Sequence, residues 1–361
     1  MRAIAVLPSR RELKVVEVPS PTLKNERDVL VRIREVGICG TDREIGSFHY
    51  GTPAAGKDTL VLGHEALGEV VDVGASVRSL KRGDLVAITV RRPSSDESCQ
   101  ACRAGRQDFC ETGHFRERGI KEADGFMTEC IVEDERFLVR VPPCLADVGV
   151  LVEPLTIAAK ASVELAMIAR RFPWEPVGVR ALVLGAGPIG LLGAMMIVAR
   201  NVEAIVYSRE PAHSPRAALL RSFGAQYVSA ADVPLNQLSI ADRPYDVIFE
   251  AVGNAWVAFS ALDALAPNGV CILSGVPGGS APVEIDLNGI MRNIVLKNQT
   301  IFGTVNASRS VFEESVRLLE QFMTLFPSAV RSLITERVSL EDAPELLRQT
   351  GGIKQVVEIA A

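Results

Sequence analysis

Three groups of residues in this 361-residue chain have types and spacings that could do chemistry. The first is Cys39, followed by Gly40-Thr41-Asp42, together with His64-Glu65, which Gly63 precedes. A thiolate, an imidazole and a carboxylate suit a tetrahedral zinc with one position left open. Taken singly, Cys39 reads as a small buried hydrophobe and His64 as a satisfied core histidine, so it is the joint pattern that points to a metal. The second group is Cys99-x2-Cys102-x7-Cys110, on a polar stretch, Pro93 to Glu111, that has no apolar stripe. Thiols crowded on a lobe that cannot build its own core read as structural zinc ligands, because the metal then supplies folding free energy. A closed site needs a fourth ligand. Asp96, three residues before Cys99, is the candidate, and Glu97 is its nearby competitor. Free or incidentally oxidised cysteines are the alternative reading of this group.

The third group is Gly185-Ala186-Gly187-Pro188-Ile189-Gly190, which follows an apolar strand and opens an apolar helix. The first glycine permits a tight turn, the second lets backbone approach a pyrophosphate, and the third lets helix and strand pack closely. The helix N-terminus then offers free N–H groups and a positive dipole end to the phosphates. About twenty residues on, where an NAD-preferring site places a carboxylate, the chain reads Tyr207-Ser208-Arg209. Arg209 can pair a 2′-phosphate with Ser208 donating beside it, which favours NADP over NAD. Glu210, next in sequence, could instead turn toward the ribose, and Arg209 could be a solvated loop arginine.

Two kinds of element must position these groups. The first ~150 residues carry short β-like runs broken by turn residues, among them Val29 to Ile33, Gly68 to Val73 and Leu85 to Val90. After Glu153 the texture changes. A helical pattern, Thr156 to Ala169, leads through Pro173 and Pro176 into the strand Ala181 to Leu184. Then come strands at Ala204 to Tyr207, Tyr227 to Ser229, Asp246 to Glu250 and Val270 to Leu273, with helices at Pro215 to Phe223 and Trp256 to Leu265. Such alternation implies parallel strands with crossover helices. The end of the chain reads as amphipathic helices, Ser310 to Phe322 and Ala343 to Gln349, and a strand, Lys354 to Ile359.

Composition narrows the partners. With 39 Lys plus Arg against 44 Asp plus Glu, a net charge of −5 and 5% aromatic residues, nucleic-acid binding is not expected. The uncharged run Ala181 to Ala199 is punctuated by glycines and reads as a buried strand and helix, so no membrane span is expected. The N-terminus lacks the apolar core of a signal peptide, and seven unevenly spaced cysteines fit reduced thiols in a cytoplasm. Cys130, Cys144 and Cys271 read as core residues, and His49, His114 and His213 as surface.

These residues resemble the zinc-dependent medium-chain alcohol dehydrogenase superfamily over nearly the whole chain. Gly63-His64-Glu65-x2-Gly68, continuing to Gly74 and Val77, has the form of its zinc signature, and Gly37-x-Cys39-Gly40-Thr41-Asp42 precedes it. Other segments are similar to the glucose 1-dehydrogenase branch known from archaea, such as Thr89-Val90-Arg91-Arg92-Pro93, Glu117-Arg118-Gly119-Ile120, Leu151-Val152-Glu153-Pro154-Leu155, Gly275-Val276-Pro277 and Gly303-Thr304-Val305-Asn306.

The resemblance implies an α/β protein: a GroES-like, β-rich catalytic domain (1–155 and 308–361, with the cysteine lobe at about 93–112) and an inserted Rossmann domain with a doubly wound parallel sheet (156–307). It implies a catalytic zinc held by Cys39, His64 and Glu153, with Glu65 an exchanging ligand, and sugar contacts at Glu117, Glu153 and Asn306. Gly275 and Val276 would join Gly185, Gly187, Pro188, Ile189, Gly190, Ser208 and Arg209 on NADP or, less favourably, NAD. The expected reaction is oxidation of an aldose, D-glucose and also D-galactose, at C1 to the lactone. Thr41, or Glu65 with water, would carry the proton away. A homodimer or homotetramer is expected. The rival readings are a zinc dehydrogenase of another polyol or secondary alcohol, and a zinc-free binder of NADPH.

Overall fold

The computed structural model describes residues 1–172, 178–238, 243–278 and 281–359. Pro173 and Pro176, expected to link helix and strand, lie outside the described residues. Two compact units emerge. One is formed by Met1–Thr156, Asn306–Glu320 and Val330–Ala361, the other by Ile157–Val305 and Gln321–Ala329. The Gln321–Ala329 stretch, which the sequence reading places with the first domain, packs in the second unit. Phe326 sits 5.8 Å, centroid to centroid, from Phe223, an aromatic contact that ties the segment to the second unit.

The first unit is β-rich. Its main sheet runs Leu138–Val141, Leu85–Ile88, Glu65–Val73, Asp28–Gly37, Lys354–Glu358, Ile334–Ser339, and Cys130–Asp134 also pairs with Asp28–Gly37. Val29, Val31 and Ile33 are fully buried on the central strand while Arg32 and Glu69 stay at its accessible side, and a register shift between Ile33 and Glu35 turns Val36 inward as well. The period of two thus fixes the register, since a slip of one residue would turn the valines to water. The C-terminal strand Lys354–Glu358 pairs Val356 with Gly37 and Val357 with Val36, so the end of the chain is built into the centre of the site-bearing sheet. The Pro93 to Glu111 stretch forms no strand, only the short helix Gln100–Arg103 and the 3-10 turn Gln107–Phe109.

The second unit holds a six-stranded parallel sheet in the order Gln226–Ser229, Glu203–Ser208, Arg180–Leu184, Tyr245–Glu250, Leu265–Leu273, Thr300–Gly303. Counted along the chain this is 3-2-1-4-5-6, the order of a dinucleotide-binding sheet, whose ligands sit at the carboxyl ends of the strands. Leu182, Leu184, Ile205, Ile248 and Cys271 are buried against one another on this sheet. The run Ala181 to Ala199 resolves into the strand Arg180–Leu184 and the helix Pro188–Ala199. No helix among the described residues is long and apolar enough to cross a membrane.

Several boundaries move for local reasons. The helix expected from Thr156 begins at Val152, with Glu153 and Pro154 in its first turn, where a proline costs no hydrogen bond. The helix expected over Trp256 to Leu265 starts under an Asn254 cap, which accepts from Val257 N at 3.0 Å, and tightens to 3-10 at Ala261–Ala264. The helix Leu287–Leu296 went unforeseen. Leu287, Ile290, Met291, Ile294 and Val295 recur at helical spacing, and Ile290 packs against the core, so the pattern was there to be read although no residue of the helix is fully buried.

Candidate active site

In the first unit, Cys39, His64 and Glu65 are brought together, with one ligand atom from each within 4.8 Å of the others. Cys39 ends the loop after Asp28–Gly37 and caps the helix Gly40–Gly46; His64 and Glu65 open the neighbouring strand Glu65–Val73. Asp42, given no role by the sequence reading, ties the two loops. Fully buried, it accepts the backbone N–H of Cys39 at 2.9 Å and of Gly63 at 3.2 Å. Its Oδ1 also lies 3.3 Å from His64 Nδ1, but off the line of a hydrogen bond, so that buried ring nitrogen has no completed partner.

A carboxylate behind an imidazole is the usual outer support of a metal-binding histidine. A half-buried thiol converging with a buried imidazole and a buried carboxylate therefore fits zinc. Burial opposes charge on the ring, yet Asp42 and Cys39 outweigh it and hold His64 well above its ordinary pKa. In turn, the imidazole and the donated backbone N–H groups hold Asp42 below the usual carboxylate range despite burial.

Glu65 is also engaged from the far end of the chain. Lys354 Nζ donates to both of its oxygens, at 2.8 and 2.5 Å, and to Ile38 O at 3.1 Å, and both side chains are at most 2% exposed. Glu65 lies so close to Gly37 that a Cβ there would fall 2.2 Å from Glu65 Oε2, so only glycine fits. Glu153 is not one of the three clustered ligands. It stands near enough to feel them, and burial, with Glu65 adding to it and His64 opposing, pushes its carboxyl up to about 8. Thr41, half-buried in the first turn of the helix that Cys39 caps, makes no side-chain hydrogen bond among the described residues.

Glu117 and Asn306 come together 189 residues apart in sequence: Asn306 Nδ2 donates to Glu117 Oε1 at 2.8 Å. Arg91 donates to the same oxygen through Nε at 3.0 Å and Nη2 at 2.9 Å. The turn after Glu117 rests on Gly63, for a Cβ at Gly119 would meet Gly63 O at 2.5 Å. The turn that follows Glu117 is thereby seated on the residue preceding His64.

On the lobe, Cys99, Cys102 and Cys110 cluster within 4.8 Å, with Cys99 and Cys110 Sγ 3.9 Å apart. Asp96 is not with them. Its Oδ1 accepts from Ser98 N at 2.9 Å and Ser98 Oγ at 2.7 Å, an Asx turn that directs the carboxylate to its own loop. Glu97 is exposed. Ser94 N, 3.3 Å from Cys102 Sγ, and Thr112 Oγ1, 3.5 Å from Cys110 Sγ, flank the thiols instead. Burial pushes Cys102 up to about 12, whereas hydrogen bonding from Thr112 overrides burial and draws Cys110 to about 7. Of the cysteines read as core, Cys271 is buried and pushed up to about 12 by burial, Cys130 is half-buried, and Cys144 is exposed in the turn Pro143–Leu145.

The second unit gathers the residues expected to meet a dinucleotide at the carboxyl ends of its strands. Gly185 takes φ +102° at the end of Arg180–Leu184, and a Cβ at Gly190 would fall 2.0 Å from Gly185 O. Around Gly187 a Cβ would meet nothing within 4 Å, leaving open space before the helix N-terminus, where Pro188 and Ile189 begin the first turn. Ser208 ends the adjacent strand, and Arg209 is exposed with no ion-pair partner among the described residues. Glu210 is paired with Arg216 at 2.7 Å, which draws it away from the ribose role weighed for it. Glu250 is a residue the sequence reading missed. Buried at its strand end, it accepts from Val252 N at 2.7 Å, Gly253 N at 2.6 Å and Gly275 N at 3.0 Å, so one carboxylate holds the loop containing Gly275 and Val276.

Known proteins agree with this arrangement. Residues 25–143 match the alcohol dehydrogenase GroES-like domain, and residues 146–359 the glucose dehydrogenase C-terminus. The chain is 36% identical to a glucose 1-dehydrogenase of Methanocella arvoryzae, covering all of both chains. It is 38% identical to one of Metallosphaera sedula, covering all of this chain and 99% of that one. Among solved structures, Haloferax mediterranei glucose dehydrogenase in complex with NADP, Zn and gluconolactone superposes with a TM-score of 0.90 at 32% identity, covering all of both chains. With its GroES-like unit, its Rossmann sheet and its full-length kinship, the chain belongs to the zinc-dependent medium-chain dehydrogenases, in their glucose dehydrogenase branch.

Proposed function

We propose that the protein oxidises an aldose, D-glucose first and D-galactose beside it, at C1, and passes the hydride to NADP+. The observation that carries this reading is the buried convergence of Cys39, His64 and Glu65, braced by Asp42, in a chain with a glucose-dehydrogenase kinship. The unit bearing that cluster acts as the catalytic domain, and the unit bearing the six-stranded sheet as the cofactor domain. Cys39, His64 and Glu153 would hold the zinc, with Glu65 as an occasional ligand; zinc bound there supplies a Lewis acid that acidifies a substrate hydroxyl. A nicotinamide cofactor held by the second unit would supply the acceptor for the C1 hydride.

The chain's own residues do the rest. Glu117 and Asn306, with Glu153, bind and orient the sugar hydroxyls, since carboxylates accept several hydrogen bonds at once. A polar group left without its hydroxyl costs about 1–3 kcal/mol, which gives such a site selectivity. Thr41 relays the hydroxyl proton outward, because both Glu65 oxygens are already held by Lys354. Gly185 through Gly190 receive the pyrophosphate at a helix N-terminus, Glu250 sets the loop of Gly275 and Val276, and Ser208 with Arg209 bind the 2′-phosphate. NAD is accepted less well. The three clustered thiols of the lobe bind a second, structural zinc, with a fourth ligand other than Asp96.

The helix Leu287–Leu296 exposes Leu287, Met291, Val295 and Leu296, and Thr300–Gly303 is a sheet edge; both support a homodimer, or a homotetramer built from it. Unpaired cysteines throughout support a cytoplasmic location. The test is a substrate panel read by cofactor reduction. Aldoses should be oxidised far faster than sorbitol, threonine or ethanol, and preference for any of the latter would refute the reading.

A further inference from the structure

The residue facing the sugar-reading carboxylate is itself held with unusual completeness. Arg91, 7% exposed, spends Nε and Nη2 on Glu117 Oε1 and Nη1 on the carbonyl of Asp108 at 3.1 Å, and its guanidinium lies 3.8 Å from the Phe115 ring centroid. Asn306 adds a third donor to that same oxygen. Three donors on Oε1 and none on Oε2 among the described residues is an asymmetric use of a carboxylate. A buried acid would normally share its donors between both oxygens, because an unserved oxygen forfeits hydrogen bonding. Glu117 keeps 7% exposure, so Oε2 is the part of it left to meet something else.

We infer that Arg91 is a positioning residue for substrate selectivity: it pins Glu117 by one oxygen so that the other presents a fixed acceptor to one hydroxyl of the sugar. The assignment rests on the aldose reading above. The planar fork matters, since two parallel N–H groups and a stacked ring fix direction as well as distance, which a lysine ammonium cannot do. The third contact of the fork, to Asp108 O, lies between Cys102 and Cys110, so the same guanidinium ties the acceptor to the cysteine lobe. A hydrogen bond between an aimed carboxylate and a hydroxyl contributes enough to separate a sugar from its deoxy analogue by roughly ten- to hundredfold.

The test compares wild type with R91M, R91K and E117Q on glucose and the set of monodeoxyglucoses, with KM for NADP+ measured alongside. In the wild type, one deoxy analogue should lose at least tenfold in kcat/KM relative to glucose. R91M should raise KM for glucose about tenfold or more and collapse that discrimination, while KM for NADP+ stays within twofold. E117Q should collapse the same discrimination, and R91M/E117Q should lose no more than E117Q alone, since the arginine acts through the glutamate. R91K should fall between R91M and wild type, and it carries the test by the same ratio if R91M does not fold. Folded R91M or R91K retaining wild-type discrimination, or losses that multiply in the double variant, would overturn the assignment while leaving the aldose reading intact. A wild type that reduces NADP+ with no aldose would overturn both.

Discussion

Replacing Lys354 by Met tests how the site is braced. The ammonium sits at 2.8 and 2.5 Å from the Glu65 oxygens, and Ile38 O takes its remaining proton at 3.1 Å. At an effective dielectric of 20, a pair about 2.8 Å apart gains roughly 6 kcal/mol, while desolvating each ion costs several kcal/mol, so the intact pair is close to neutral for stability. Removing one partner is different. It leaves a carboxylate about 1% exposed with no cation, and such truncations cost about 3–5 kcal/mol. Lys354 is held above its ordinary range by Glu65 and Cys39 in spite of burial, so its ammonium stays charged across the neutral range. Urea unfolding of chelator-treated protein should show Lys354→Met losing about 3–5 kcal/mol, and Lys354→Met with Glu65→Gln recovering most of it. A single variant within 1 kcal/mol of wild type, or a double variant as unstable as the two singles summed, would refute the reasoning.

Other expectations follow from the same geometry. Glu133 is held at about pKa 2 against burial by Arg92 and Arg118, at 2.5 and 2.7 Å, down from an ordinary 4.5, a difference equivalent to about 3 kcal/mol. Because the folded pKa is the lower one, this stability is present above about pH 4.5 and lost as pH falls toward 2. Glu133→Gln should therefore be about 3 kcal/mol less stable than wild type at pH 7, with the gap closing toward pH 2; a gap independent of pH would contradict the ion network. Arg209→Ala should raise KM for NADP+ about tenfold or more and change KM for NAD+ less than twofold, and equal effects on both would remove Arg209 from the 2′-phosphate. Asp96→Ala should leave bound zinc unchanged by metal analysis while Cys102→Ser lowers it by about one per chain; loss of zinc in Asp96→Ala would restore the aspartate as a ligand.

The legible parts of the sequence were those whose chemistry is local. Gly185, Gly187 and Gly190 lie within six residues, and the structure gives each the conformation or clearance expected of it. Cys39 follows one and His64-Glu65 open the other of two strands that pair side by side, Gly37 opposite Glu65, so residues two dozen apart meet. Lys354 was hidden because its partner is 289 residues away, and a lysine opening a terminal strand carries no mark of burial. Glu250 read as the polar end of a strand, since its three acceptor bonds go to backbone, which sequence does not distinguish. Asp96 misled because spacing along the chain stood in for distance in space, and Ser98 two residues on offered its carboxylate a nearer partner. Cys144 misled similarly: apolar neighbours in sequence lie inside, while the turn Pro143–Leu145 directs the thiol out.

Activity measured through one cycle of metal removal and return addresses the whole account. Purified protein should reduce NADP+ with D-glucose, lose that activity when a chelator strips its metal to below one ion per chain, and regain it when zinc alone is added back. Undiminished glucose oxidation by protein shown by elemental analysis to hold no metal would contradict it.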